Sequence, residues 1–303
     1  MTLDRALQGP DALEDVARRL VRVSEHRAAP PFSRIDFPGA LDPTRPVFPS
    51  DLISLYGHPV LETMPEPVRW QLGLLETVNF FSLNIHGEQA LVGVLAERLY
   101  RERSTGESSE VSRYLQHFIH EENAHTYMLA EFCHRYHGRV MPEVVFRFEA
   151  PKLSRKGNDL LFFSRVYVLE TFLDFVNRRA MRDDTLEPTA RAIHRSHHMD
   201  ETRHMAFDRA IIARLAAELR TGGAVAELQA IASLIAGYAD YAFSRLVNPR
   251  VYRALELPNP LELMRSAEQS PHRAALKARW WSQPLAFFCK SGLSPTTLGV
   301  APA

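Results

Sequence analysis

Only two cysteines, Cys133 and Cys289, occur in 303 residues. That excludes a cysteine-rich zinc or iron–sulfur site and fits a reducing compartment. Neither sign of charge is in excess, since 36 basic residues face 36 acidic ones for a formal net charge of zero. Nucleic acid and anionic membranes are therefore not expected partners. No uninterrupted apolar run is long enough to span a bilayer, and Met1 to Ala6 show no signal-peptide core. The expectation is a cytoplasmic protein. The chain is long enough to bury a substantial core, and one elaborated helical domain over 1–303 is the economical reading.

What the sequence does have is helical periodicity. Residues 11–27 predict a short amphipathic helix, followed from Pro30 to Pro67 by a proline-rich, irregular wrap with little room for long helices. Long helices are then expected at 68–103, 109–137, 158–183 and 188–220. Between the second and third, Gly138 to Gly157 contains the alternating run Val144 to Phe148. Extended, these twenty or so residues cover up to roughly 66 Å, enough to cross a bundle lengthwise. Further helices are expected at 224–247 and 261–280, with Trp280 and Trp281 packing against the bundle. The chain thus divides into an N-terminal helix and wrap (1–67), a four-helix core (68–220) and additional C-terminal helices (221–303).

Two Glu-x-x-His motifs lie on the core helices, Glu122 to His125 and Glu201 to His204. Three residues turn an α-helix by about 300°, so carboxylate and imidazole project from one face. A single such motif is weak evidence. Glu131 and His134 repeat the spacing, but Glu131 lies nine residues after Glu122, about 180° around the same helix.

Register separates ligand candidates from decoys. The polar turn Arg103 to Ser109 joins two helices; Glu88 lies 15 residues before Arg103, and Glu122 lies 13 after Ser109. Around the turn Asp183 to Pro188, Glu170 lies 13 before Asp183 and Glu201 lies 13 after Pro188. Both pairs are level. Glu76 is the rival for the first carboxylate, yet it stands twelve residues before Glu88, roughly 18 Å along the helix. Phe80-Phe81-Ser82 and Phe162-Phe163-Ser164 hold the same offsets before Glu88 and Glu170, and are expected in the core. Four level carboxylates and two histidines match the dinuclear site of an all-α, ferritin-like four-helix bundle.

The halves differ. With His204 at zero, His197 falls at about 20° and Glu201 at about 60°, so His197 shares the metal-facing edge. Phe118 occupies the equivalent place before His125. On residues alone His197 is either a third imidazole ligand or a buried, hydrogen-bonded histidine. The set Glu88, Glu122-x-x-His125, Glu170 and His197-x-x-x-Glu201-x-x-His204 resembles the ferritin-like diiron arylamine N-oxygenases over roughly residues 70–210. That resemblance implies that His197 is a ligand. It also implies two iron ions, O2 as co-substrate, an external electron donor or reductase, a small-molecule amine substrate oxidised at nitrogen, and a homodimer.

Mixed carboxylate and imidazole donors suit non-haem iron; calcium and magnesium prefer all-oxygen shells, while manganese fits the same donors. Two other classes stay open: a diiron enzyme acting on carbon, as hydroxylase, desaturase or radical subunit, and a ferritin-like iron-handling protein. The extra terminal regions speak against the last. His117, His120 and Glu121 crowd the first motif, and Asp174 and Tyr167 stand near Glu170 as candidates to orient ligands.

Overall fold

The computed structural model describes residues 12–27, 34–104, 109–143 and 152–295. Helix α1 (Ala12–Arg27) precedes an irregular segment with one short 3-10 turn (Ser50–Leu52) and α2 (Pro59–Glu62). The four long helices are α3 (Glu66–Ser104), α4 (Glu110–His137), α5 (Arg155–Met181) and α6 (Pro188–Thr221). Their boundaries have local causes. The Ser109 and Ser154 hydroxyls accept from the amides of Ser112 and Gly157, starting α4 and α5. Glu187 caps α6 by accepting from the Ala190 amide, with Pro188 at the first helical position. At the end of α4, Gly138 takes a left-handed conformation at φ +84°, which favours glycine.

Helices α3 and α4 pack as one antiparallel pair, and α5 and α6 as the other. Helix α1 lies across α4 and α6 on one side of the bundle, and α7 (Val225–Ser244) packs along α5 on the other. The two described ends of the link between the pairs lie far apart along α3. The Met141 amide donates to Ser82 Oγ (2.9 Å) and His86 Nε2 lies 2.8 Å from the Met141 carbonyl, whereas Asp159 pairs with Arg98 at 3.1 Å. Ser82 and Arg98 are sixteen residues apart on α3, roughly 24 Å. The long connection expected of the sequence is therefore present between its two described ends, while Val144 to Phe148 lie outside the described residues.

The C-terminal expectation needs correction. The helix expected at 261–280 is two helices, α9 (Pro260–Glu268) and α10 (Pro271–Lys290). Ser270 caps α10 by accepting from the Arg273 amide, and Pro271, which has no N–H to extend α9, starts the new helix. The helix expected to reach 247 stops at Ser244, and a short α8 (Pro249–Ala254), capped by Asn248, follows. Trp280 packs in the core against Phe172 and stacks on Phe243 at 5.8 Å between centroids, as expected of packing residues. One connected apolar core draws on α1 and on α3 through α10.

Glu76 fastens the irregular wrap to this core. Its buried carboxylate accepts from the Ser54 amide (2.9 Å) and from the Ser54 hydroxyl, which lies 2.7 Å from the Tyr252 hydroxyl. Burial pushes Glu76 up to about 7, against the pull of the Ser54 bonds and Arg273. Because the folded value exceeds the ordinary 4.5, the folded chain keeps a proton that the unfolded chain releases. The resulting stabilisation is complete below pH 4.5 and is lost as pH rises through 7. Between pH 4.5 and 7.5, the wild type should lose on the order of 3 kcal/mol of unfolding free energy more than Glu76→Gln, measured by denaturant titration.

Candidate metal centre

All seven side chains singled out by register and angle converge in the middle of the bundle. Glu88 comes from α3, Glu122 and His125 from α4, Glu170 from α5, and His197, Glu201 and His204 from α6. They form two overlapping sets, Glu88 with His125, His197 and Glu201, and Glu122 with Glu170, Glu201 and His204. Within each set, one donor atom from every residue lies within 4.8 Å of the others. Glu201 is shared. Its Oε1 lies 2.7 Å from His197 Nε2 and 3.5 Å from His125 Nδ1, while its Oε2 lies 3.5 Å from His204 Nδ1. Glu122 also faces both ways, with Oε1 2.8 Å from His204 Nδ1 and Oε2 3.7 Å from His125 Nδ1.

The arrangement fits two metal ions on a structural test. Buried polar atoms ordinarily find hydrogen-bond partners. Here both oxygens of Glu122 and of Glu170, Nδ1 of His125 and of His204, and Nε2 of His197 are buried without a well-aligned hydrogen bond, close as some of them lie to one another. These are the atoms that point inward. Four carboxylates would balance two divalent ions, and three neutral imidazoles would add donors without charge.

The opposite ring nitrogens are held. His125 Nε2 lies 3.1 Å from Asp200 Oδ2, and His204 Nε2 lies 2.9 Å from Glu121 Oε2. Arg203 donates to both acids, to Glu121 Oε1 at 2.8 Å and to Asp200 Oδ1 at 2.5 Å, and Arg34 from the wrap also pairs with Asp200. Each acid immediately precedes a motif glutamate and serves the histidine of the other motif. Sequence reasoning ranked Glu121 only as a rival to Glu122 and missed Asp200. The signal was an acid before both motifs, Glu121-Glu122 and Asp200-Glu201.

His197 is fixed from behind by Asn177, whose Nδ2 lies 3.0 Å from His197 Nδ1 and whose Oδ1 lies 2.7 Å from His194 Nδ1. Burial, then the charge of His197, lowers His194 to about 3, so His194 is neutral and able to accept. A metal on His197 Nε2 leaves a proton on Nδ1. That state is served by a half-turn of the amide, with Oδ1 accepting from His197 and the NH2 donating to His194. Thr126 Oγ1 donates to Glu88 Oε2 at 3.3 Å.

Without metal the cluster holds protons. Burial disfavours the imidazolium, yet Glu201 and Glu88 raise His197 well above its ordinary value. His125 reaches about 9 against burial and the charge of His197, through Asp200 and Glu122. Glu121, despite burial, is held at about 2 by His204 and Arg203. Burial, then Asp208, raises Glu170 well above the usual carboxylate range, and burial raises Asp208 to about 8.

The other candidates lie elsewhere. Glu131 pairs with Arg135 at the surface beside exposed His134. His117 faces Glu25, Asp174 serves His198 and Arg178, and Tyr167 packs on Phe287 and Phe288. Phe118 stacks on His204 at 3.9 Å, and Phe80 and Phe81 pack on His194. Phe162 departs from the expectation of simple core packing. It lines a cavity of about 570 Å³ between α3 and α5, which reaches Glu88, Glu122, Glu170 and Glu201. None of the three histidines lines that cavity.

A helical bundle carrying two overlapping carboxylate–histidine sets is the arrangement of ferritin-like dimetal proteins. A family model described as P-aminobenzoate N-oxygenase AurF matches residues 10–292, and the chain belongs to that family. Among solved structures, a point mutant of the R2-like ligand-binding oxidase with an aerobically reconstituted Mn/Fe cofactor is 15% identical. The match covers 95% of this chain and 94% of that one at a TM-score of 0.53, a likeness of fold. A second mutant of that oxidase, with the same kind of cofactor, is 15% identical over 89% of this chain and 93% of its own, with a TM-score of 0.45. Curated proteins give no significant match.

Two outcomes follow. Loading the protein with ferrous or manganous ions at pH 7 should release protons, and apparent affinity should rise as pH is raised toward 9; an unbuffered titration reads both. Asp200→Ala and Glu121→Ala should each weaken metal binding by roughly 10- to 100-fold in a chelator competition.

Proposed function

We propose that this chain is an O2-dependent diiron N-oxygenase, converting an amine, aryl in the first instance, to its hydroxylamine and onward to nitroso or nitro products. The observation that carries the reading is the convergence of seven buried donors in two sets sharing Glu201, with a cavity leading to their carboxylate side. Membership of the N-oxygenase family supports the choice of nitrogen as the atom oxidised.

Glu88, Glu122, His125, Glu170, His197, Glu201 and His204 would hold the two ions, Glu201 being common to both sets. Two iron ions bound there supply the redox capacity to activate O2. For the first step, an amine, O2, two electrons and two protons give a hydroxylamine and water. An external reductase provides the electrons.

The protein's own groups set the geometry. Asp200 and Glu121 accept from the Nε2 side of His125 and His204, which fixes each ring with Nδ1 inward. Asn177 fixes His197 with Nε2 inward. The histidines stand behind the carboxylates, so substrate entering by the cavity meets the oxygen-donor face. The aliphatic side chains of Leu83, Leu91, Val94, Val166 and Leu169 line the approach and limit water near the centre. A cytoplasmic location and a homodimeric state belong to the same proposal.

The test is anaerobic ferrous loading, exposure to O2 and incubation with a panel of aryl and alkyl amines, read by product mass. Two irons per chain and products heavier by oxygen at nitrogen are expected. His197→Ala should lower the N-oxygenation rate at least tenfold. Oxidation at carbon alone would assign the chain to the hydroxylase or desaturase class, and growth of a mineral core to iron handling.

A further inference from the structure

The cavity is chemically polarised. The four buried carboxylates of the metal centre belong to its lining, together with apolar walls that include Leu91, Phe162, Leu169 and Phe172. Toward α7 and α8 its lining includes four arginines, Arg165, Arg245, Arg250 and Arg253. Beyond the metal-facing residues, Glu143 is the acidic group in that lining.

These guanidinium groups are not needed to neutralise the centre. Two divalent ions would already balance Glu88, Glu122, Glu170 and Glu201, and the acids behind the histidines have Arg203 and Arg34. Several of the rim arginines are also fixed in place. Arg165 lies over the Tyr238 ring at 4.6 Å and Arg245 over the Tyr241 ring at 5.0 Å, while Arg250 donates to the Pro142 carbonyl at 2.9 Å. Arg245 also donates to the Ser244 hydroxyl through Nε at 3.2 Å and Nη2 at 3.0 Å. A guanidinium has five N–H donors in a planar fork, so Arg245 and Arg250 each keep others that suit a carboxylate or phosphate.

Size adds an independent constraint. A volume of about 570 Å³ is that of a site for a drug-sized ligand, and p-aminobenzoate, one ring with two small substituents, fills only a fraction of it. From these three observations, we infer that the substrate is an extended amine: its nitrogen end reaches the carboxylate-lined centre past the apolar walls, and an anionic tail is held by Arg245, Arg250 and Arg253. The anion is a carboxylate or a phosphate-type group. This inference rests on the cavity being the substrate's path to the metal centre.

Anaerobic calorimetry on the ferrous-loaded protein tests it with four probes: N-(4-aminobenzoyl)glycine, its methyl ester, the matching aminomethylphosphonate, and p-aminobenzoate. The extended acid or the phosphonate should bind at least tenfold tighter than the ester and than p-aminobenzoate. Which of the two binds better identifies the type of anion. In Arg253→Gln and in Arg245→Gln the advantage of the anion over the ester should shrink at least threefold, with ester affinity unchanged. Equal binding of acid, phosphonate and ester would overturn the inference. So would an advantage untouched by both substitutions, tighter binding of p-aminobenzoate, or no binding of either extended anion. Product mass is a separate readout: tight binding of the extended anion without oxidation at its nitrogen would sink the N-oxygenase reading and leave the anion site standing.

Discussion

Seven ionisable side chains buried at the centre of an apolar bundle are the constraint on which the structure depends. Each carboxylate taken out of water carries a large penalty unless opposite charge or hydrogen bonds replace the lost solvent. In the metal-free protein, protons on His125, His197 and His204 supply part of that charge. Divalent ions would supply it better, because they meet the inward-facing atoms that have no well-aligned hydrogen bond. The same balance extends outward. Asp200 and Glu121 each accept from an imidazole and from Arg203, so alternating charges run from the centre toward the wrap.

Helix length and capping serve this centre. A donor set drawn from four helices works only if each helix is held in rotation and in height. The Ser109 and Glu187 caps start α4 and α6 at defined points, and the level pairs Glu88 with Glu122 and Glu170 with Glu201 follow from those starts. The wrap contributes at a distance. Arg34 reaches Asp200, and Glu76 anchors Ser54, so residues outside the four long helices secure both the outer electrostatics and the base of the bundle.

Much of this was legible in the sequence because it depends on periodicity. Turn positions set register, register set height, and 100° per residue set direction; those steps gather six of the donors, set aside Glu76 and Glu131, and place His197 on the metal-facing edge, whereas its reading as a ligand came from the family resemblance. What remained hidden depends on tertiary placement. Asp200 and Glu121 act on the histidine of the opposite helix, and no spacing within one helix reveals that. The break at Ser270 and Pro271 was a local signal, a serine cap followed by proline, overridden in the sequence reading by continuing apolar periodicity. Phe162 looked like its repeat partner Phe80, yet α7 and α8 leave space on one side of α5, and Phe162 faces it.

The two Glu-x-x-His units make the centre nearly symmetric, and the departure from symmetry falls at one pair of positions. Seven residues before His125 stands Phe118, stacked on His204; seven before His204 stands His197, with its Nε2 beside Glu88 and Glu201. A phenyl ring at the first position excludes a donor there and packs the face of the neighbouring imidazole. An imidazole at the second requires its own support, which Asn177 and the neutral His194 provide. One of the two sets thus has two imidazoles, His125 and His197, and the other has His204 alone. Because the cavity opens on the carboxylate side, this difference is set from behind, leaving the face toward substrate to the oxygen donors.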